Sequence, residues 1–534
     1  MEGFLLLISV IIFVSVLLNN ASLRVGVPVL FAFIMLGIIF GYNGLIPLNL
    51  DEQAMSSVGK ISSVALIFIM FYGGFGTSWR TARSVATEAG LLSTVGVVVT
   101  AGLVAVFCHY ILSWRWLESL LLGSVLSSTD AASVFSILRS KKLGLKNNTA
   151  PLLEMESGSN DPMSYLLTVI ILSLYGGAAS PSHAVWMFIA QIGFGVLFGL
   201  CIATFAVFAL RRINFVTSGF NSLFLVAVAI ASYALPSIVG GNGYLSAYIV
   251  GIILGNQQIE GKKQIVHFFD GITSLMQLIL FFLLGLLALP SNLERCIIPA
   301  LSIFLFLSLV ARPLSVGVIL SPFRKWSLRH QTLISFCGLR GAASIVFAIM
   351  AVTSGYVFKN DVFNIVFCVV LLSILIQGSL IPFTARKLEM LDNDSDVMKT
   401  FNDFSDDVSL QFSCVEISSD NPWADKKIMD LCLPKEFLIC QIIRSDGKRE
   451  LPSGNTVLGT GDRLVICSSE FIDSNPVRIK RHVMSDSSKW DNRKISELPH
   501  DNTIMLVMRG RQAIIPHGDT VLHSKDILYI NDSD

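Results

Sequence analysis

Residues 152–176 read LLEMESGSNDPMSYLLTVIILSLYG. The stretch has the length of a bilayer-spanning helix, yet its first half carries Glu154, Glu156, Asn160 and Asp161. A charge near the bilayer centre costs at least about 2.5 to 3.5 kcal/mol on insertion scales, so an ionisable residue at that depth marks a working site. Upstream, Asp130 interrupts a second apolar run. Two carboxylates in hydrocarbon point to ion handling.

The remainder of the chain agrees with a membrane setting. Of 534 residues, 53% are hydrophobic and 14% charged, the composition of an integral membrane protein. Apolar runs of roughly 17 to 25 residues give thirteen spans, near 4–18, 27–42, 60–79, 88–112, 116–138, 152–176, 184–209, 218–235, 243–257, 267–289, 297–320, 331–353 and 361–385. The N-terminal MEGFLLLISVIIFVSVLLNN lacks a basic leader and a small-residue cleavage site, so a retained first span is expected. The net charge is +1 and Lys and Arg are spread over short loops, which excludes a nucleic-acid partner. Nine cysteines without a CxxC pair suggest neither a disulfide framework nor a zinc site, and the four after residue 400 imply a reducing compartment.

Loops on alternate sides differ in basic residues, sixteen on one side and four on the other. The positive-inside rule then predicts the N-terminus outside and the C-terminus in the cytoplasm. An odd number of spans requires the same arrangement.

The transmembrane part is read as residues 1–388, followed by an acidic linker at 389–407 with seven Asp or Glu and one Lys. Beyond it lies an internal repeat. Trp423, Arg444, Pro452, Gly454, Thr456, Leu458 and Asp462 recur as Trp490, Arg509, Pro516, Gly518, Thr520, Leu522 and Asp526. Short β-branched runs between Gly and Asp turns read as two small α/β units, at 408–475 and 484–534. Units this small are marginal in core size, so pairing with each other or across a dimer is expected.

The fifth span contains Ser127-Ser128-Thr129-Asp130-Ala131-Ala132-Ser133, and the twelfth Gly338-Leu339-Arg340-Gly341-Ala342-Ala343-Ser344. Irregular backbone at membrane depth is tolerated only where it is buried in protein or lines a wet cavity, and transporters use broken helices to aim carbonyls and helix termini at ions. Interrupted spans in opposite halves fit an inverted repeat. Plain helix packing would explain the small residues, but it needs neither Asp130 nor Arg340.

Ser157 and Asp161 lie four apart on a helix, so hydroxyl and carboxylate share a face and can meet one cation. Oxygen ligands suit Na⁺ or K⁺, and the same carboxylate takes a proton. One guest at a time is the chemical core of an exchanger. Asn160 is neutral, so the site predicts one cation for one proton without net current. Glu156 and Arg340 are expected to form a structural ion pair, because an unpaired charge at that depth is strongly disfavoured. Arg312 is a further buried cation, with Glu154 or a cluster of carbonyls as its partner.

Taken together, ESGSNDP at 156–162, SSTDAAS at 127–133, GLRGAAS at 338–344 and YLSAYIVGIILGN at 244–256 resemble the monovalent cation:proton antiporters, in the electroneutral NhaP-like branch whose sixth helix carries Asn-Asp. The match covers residues 1 to about 390. The resemblance implies an all-α polytopic protein of about thirteen transmembrane helices, with inverted repeats and two crossed broken helices. It further implies a homodimer in a bacterial inner membrane that exchanges cytoplasmic K⁺ or Na⁺ for an external proton by elevator-type alternating access, with no cofactor. Asp161 would carry cation and proton, Ser157 and the Thr129 carbonyl would be ligands, and Asp130 and Asn160 would hold the crossed helices. Glu156 would pair with Arg340. This branch often has an acidic residue before a Gly-Gly pair in the third span, where this chain has Tyr72-Gly73-Gly74, which leaves room for K⁺ selectivity.

The C-terminal repeat resembles TrkA-C (RCK-C) regulatory modules. No GxGxxG follows residue 390, so the nucleotide-binding half of such modules is absent. A gating role with a small-molecule or nucleotide ligand is expected; stabilising a dimer is the plainer alternative. A ligand-gated cation channel lacks support because no TVGYG-type filter occurs. An intramembrane aspartyl protease would need Tyr-Asp and Gly-x-Gly-Asp contexts, which Asp130 and Asp161 lack. His267 and His330 flank span ends and invite a pH-sensor reading, histidine being the residue type suited to it, with an interfacial polar tip as the simpler role. The pairs Gly37/Gly41, Gly195/Gly199 and Gly251/Gly255 read as packing contacts.

Overall fold

The structure, a computed structural model, describes all residues except 1, 3–5, 7–8, 18–28, 42–51, 141–142, 178–179, 213–217, 258, 260, 289, 393–409, 419–420, 432, 434–436, 447, 470–478, 485–489, 499–503, 510–511, 515 and 532–534. The acidic linker beyond Asp392 therefore lies outside the described residues. Two compact units result, residues 1–404 and 405–534.

In the first unit, residues 9–17 are helical. They are followed by α1 (Val29–Phe40), α2 (Glu52–Gly76), α3 (Ala86–Tyr110), α4 (Trp116–Ser127), α5 (Ala131–Ser140), α6 (Thr149–Tyr175) and α7 (Pro181–Arg212). Next come α8 (Ser218–Ile238), α9 (Gly243–Gly255), α10 (Lys262–Leu287), α11 (Leu293–Leu320), α12 (Leu328–Phe336), α13 (Ala342–Thr353) and α14 (Val362–Lys387). Helix is present in each of the thirteen expected segments, because α4 with α5, and α12 with α13, are the halves of two interrupted spans.

Among the described residues, α2, α3, α7, α8, α10, α11 and α14 are long and apolar enough to cross a membrane, and α1, α4, α9 and α13 are shorter apolar helices. The 27-residue α6 is in neither group. Its polar run from Glu154 to Asp161 holds its hydropathy below that of the other long helices.

Lipid tails are as apolar as Leu side chains, so close approach of backbones must do what burial does in water. On α2 and α9 the carbonyls of Tyr248, Phe71 and Phe75 occupy the places of any Cβ at Gly74, Gly251 and Gly255. Gly37 and Gly285 bring α1 against α10 in the same way, while Gly195 and Gly199 rest on Asn242 and Ile249. Phe68, Phe71, Phe75 and Phe269 then fill an apolar cluster between α2, α7, α8, α9 and α10. A second cluster, including Leu138, Leu152, Val316, Leu333 and Ile381, joins α5, α6, α11, α12 and α14. Short strands β1 (Gly144–Leu145) and β2 (Leu391–Asp392) pair at its edge.

In the second unit, β3 (Leu410–Glu416), β4 (Leu438–Ile443), β5 (Arg449–Glu450) and β6 (Arg463–Ser469) form an antiparallel sheet in the order β3-β6-β4-β5. Then β7 (Ile479–Val483), β8 (Ile504–Arg509), β9 (Gln512–Ile514) and β10 (Ile527–Asn531) repeat it as β7-β10-β8-β9. The second sheet thus takes its edge strand from residues ahead of the start at 484 read from the sequence. Helix in each repeat is limited, among the described residues, to a 3₁₀ turn at Ile428–Asp430 or Ile495–Glu497.

The repeated residues explain themselves by repeated bonds. Arg444 donates to Asp462 at 2.7 Å and to the Val457 carbonyl at 2.9 Å; Arg509 donates to Asp526 at 2.8 and 3.0 Å and to the Val521 carbonyl at 2.8 Å. Burial alone would raise the Asp526 carboxyl pKa, but the Arg509 guanidinium and the His523 amide outweigh it and hold it below its usual value. A depressed folded pKa contributes stability that is complete above the unfolded value of about 3.9 and is lost as pH falls through the folded one. Asp526→Asn is expected to destabilise the second repeat by about 2 to 3 kcal/mol, and to flatten its acid limb, read by hydrogen exchange on the full chain.

Candidate functional site

Both interrupted spans break where their sequences become polar and small, and the breaks meet. The Asp130 amide donates to the Leu339 carbonyl at 2.8 Å, and Arg340 Nη1 donates to the Ser128 carbonyl at 2.7 Å. Each break exposes a helix N-terminus and a helix C-terminus inside the protein, with orphan amides at one and orphan carbonyls at the other. Asp130 answers the first: its oxygens accept from the Ser133 amide at 3.1 Å and the Ser133 hydroxyl at 2.5 Å, an N-cap for α5. Arg340, 1% exposed, answers the second through the Ser128 carbonyl beyond α4.

Gly341 is required at the crossing because a Cβ there would run into the Asp130 carboxylate. Gly341→Ala is therefore expected to lower stability by about 1 to 3 kcal/mol in thermal unfolding of purified protein. Gly73→Ala, where a Cβ meets nothing within 4 Å, is the matched control.

α6 passes the crossing and is tied to it residue by residue. Ser157 Oγ donates to the Thr129 carbonyl at 2.7 Å and accepts from the Ala131 amide at 2.8 Å. Asn160 receives the Thr129 amide at 3.3 Å and donates to the Thr129 hydroxyl at 2.5 Å. Asp161 Oδ1 accepts from the Ser128 hydroxyl. Asn242, the N-cap of α9, steadies the next residue by donating to the Pro162 carbonyl at 2.8 Å. Gly158 lies against Tyr248, whose ring and hydroxyl occupy the place of any Cβ.

A cavity of about 20 Å³ opens beside Asp161, room for roughly one water-sized guest. One wall is Ser128, Thr129, Asp130 and Asp161 with Ala342 and Ala343 at the start of α13; the other is Leu66 and Ile69 of α2 and Gln277 of α10. Asp161, Thr129 and Asp130 thus come together on the cavity. Asn160 and Ser157 stand behind it, fixing the backbone of the break.

The expected Glu156–Arg340 pair is not formed. Both oxygens of Glu156 lie on Arg312 Nη2, at 2.6 and 2.8 Å, and both residues are buried. Arg312 consequently pairs with Glu156 and not with Glu154. The reason is geometric: Arg340 is drawn to the orphan carbonyl beyond α4, which leaves Glu156 to the arginine arriving from α11. The Arg340 amide is in turn held by Ser373 at 3.1 Å, within a π-helical turn of α14.

Tyr72 stacks on Phe269 with ring centroids 6.5 Å apart and forms no part of the cavity wall. His330 is buried and bonded through Nδ1 to Ser327 at 2.7 Å, and His267 is exposed; neither lines the cavity. Sequence reasoning left Ser128 and Gln277 unassigned. Gln277 had a signal, a lone amide in the run SLMQLILFF.

Residues 8–387 match the family described as Sodium/hydrogen exchanger, transmembrane, and residues 414–472 and 479–531 each match the TrkA-C domain. The K(+)/H(+) antiporter NhaP2 of Shewanella sp. (strain MR-4) is 33% identical over 475 residues, 88% of this chain and 82% of that protein. The K(+)/H(+) antiporter NhaP of Alkalimonas amylolytica is 33% identical over 468 residues, 87% of this chain and 81% of its own. The fold is that of the sodium proton antiporter MjNhaP1 from Methanocaldococcus jannaschii at pH 8, with a TM-score of 0.63 and 24% identity over 73% of this chain and 99% of that one. The chain belongs to the sodium/hydrogen exchanger family and is a multi-pass membrane cation:proton antiporter, not an enzyme, carrying TrkA-C domains.

Proposed function

We propose that the protein exchanges cytoplasmic K⁺ for an external proton, one for one, with Asp161 as the shared carrier. A single observation carries this reading. Glu156 is neutralised by Arg312, and the Asp130 oxygens are engaged by Ser133, whereas Asp161 faces the cavity with a hydroxyl as its donor and no Lys or Arg paired with it among the described residues. A carboxylate in that setting takes either a proton or a cation. With a cation bound, the Ser128 hydroxyl turns its lone pairs inward, and the Thr129 backbone and the Gln277 amide offer further oxygens.

The relatives named as K(+)/H(+) antiporters support K⁺ as cargo. The neutral Asn160 supports electroneutral stoichiometry. Alternating access is of elevator type, with the α2 and α10 wall fixed and the crossing moving with α6. The protein is a homodimer in a bacterial inner membrane, N-terminus outside and C-terminus in the cytoplasm, and the TrkA-C repeats regulate it through a small ligand.

Everted vesicles holding a preformed pH gradient test the assignment. Addition of K⁺ is expected to collapse the gradient at a rate unaffected by clamping the membrane potential, with Na⁺, Li⁺ and Rb⁺ compared in the same assay. A rate that follows the potential would refute one-for-one exchange, and a response to Na⁺ without K⁺ would refute the cargo.

A further inference from the structure

The chain leaving the last membrane helix is fastened by the first residues of the segment read as the linker, Glu389 to Asp392. α14 ends at Lys387, Glu389 turns the backbone at φ +57°, and the following residues fold back on the first unit. β2 pairs antiparallel with β1, Gly144 opposite Asp392 and Leu145 opposite Leu391. The Lys146 amide donates to the Met390 carbonyl at 3.0 Å, Lys146 Nζ to the Glu389 carbonyl at 3.1 Å, and the Met390 amide to the Ala385 carbonyl at 3.0 Å. Met390 is 3% exposed, in the cluster that contains Leu138 of α5, Leu152 of α6 and Leu333 of α12. An Arg329–Glu389 ion pair adds little, being exposed on both sides. Backbone bonds and the buried methionine hold the clamp.

Its place matters more than its size. β1 lies in the connection between α5, whose first turn is capped by Asp130, and α6, which carries Asp161. From Leu152 to Asp161 is a rise of about 14 Å along one helix at about 1.5 Å per residue, and α5 reaches from the same connection to the crossing. The clamp thus sits at the ends of the two helices, α5 and α6, that lead to the cavity wall holding Thr129, Asp130 and Asp161.

We propose that this β1–β2 clamp is the element through which the TrkA-C repeats act on the cation site. The proposal rests on the regulatory reading of those repeats given above. In an antiparallel ladder hydrogen-bonded and non-bonded pairs alternate. The Lys146–Met390 bond places Gly144–Asp392 in the bonded class, so Asp392→Pro removes an amide from the clamp, and Asp392→Ala retains it.

The test is a double-mutant cycle on the full-length protein in everted vesicles, reading the half-activating K⁺ concentration. Asp462→Asn with Asp526→Asn removes the matched guanidinium partner from both repeats. It is expected to shift half-activation by about fivefold or more, the lower end of ordinary allosteric coupling. That shift is expected to vanish on adding Asp392→Pro and to persist on adding Asp392→Ala. A shift that survives Asp392→Pro overturns the clamp and leaves regulation by the repeats standing. Absence of a shift in every background overturns the regulatory reading and the clamp with it. If Asp392→Pro does not reach the membrane, a Gly-Ser-Gly-Ser insertion directly after Asp392 slackens the connection with all pairing intact; loss of the shift is again expected, and its survival overturns the proposal.

Discussion

Asp161→Asn is expected to reduce K⁺-driven collapse of a pH gradient to below about one hundredth of the parent rate, a loss of roughly 2.7 kcal/mol or more in transition-state terms. The carboxamide keeps the size of the carboxylate and can still accept the Ser128 hydroxyl, so the crossing survives. What it cannot do is alternate between a proton and a cation. Thermal unfolding of the purified variant should match the parent, which separates a lost carrier from a lost fold. Retained exchange in this variant would remove Asp161 from the mechanism.

Glu156→Gln is expected to destabilise the membrane unit by about 3 to 5 kcal/mol, because it leaves the Arg312 guanidinium buried without its counter-charge. Replacing both, Glu156→Leu with Arg312→Met, should recover most of that loss, since an apolar pair of similar volume carries no desolvation cost. In a double-mutant cycle read by thermal unfolding in detergent, Glu156 should couple strongly to Arg312 and weakly to Arg340. The reverse result would restore the pairing expected from sequence and contradict the geometry. Exchange in the Glu156→Leu/Arg312→Met protein is expected to persist, which marks the pair as structural support for α6 and not as carrier.

Much of the site was legible in the chain because lipid is an unforgiving solvent. Asp130, Asn160 and Asp161 stand out at membrane depth for the price they exact there. Gly and Ser runs at 127–133 and 338–344 announce broken helices, and the spacing of Ser157 and Asp161 puts both on the face that meets the break. Ser128 was hidden among three neighbouring hydroxyls, and nothing local distinguishes the one that reaches the carboxylate. Gln277 arrives from α10, more than a hundred residues from Asp161 in sequence, and only packing brings it to the cavity.

The same division holds for the charges and the tail. Glu154, Glu156, Arg312 and Arg340 in apolar spans call for compensating partners, because an unpaired buried charge is strongly disfavoured. Which arginine meets Glu156 depends on where orphan carbonyls fall: Arg340 goes to the Ser128 carbonyl and Arg312 to Glu156. The repeat of about 65 residues points to two small units, and the tertiary bonds show why Arg444 and Asp462 return as Arg509 and Asp526. By itself the sequence determined the membrane fold and singled out the carboxylate of the candidate site, since these follow from composition, periodicity and the energy of burying charge, while the family was carried by its motifs. The tertiary structure alone decided the partner of each charge, the second wall of the cavity and the clamp at Leu391–Asp392, since these are contacts between segments far apart in the chain.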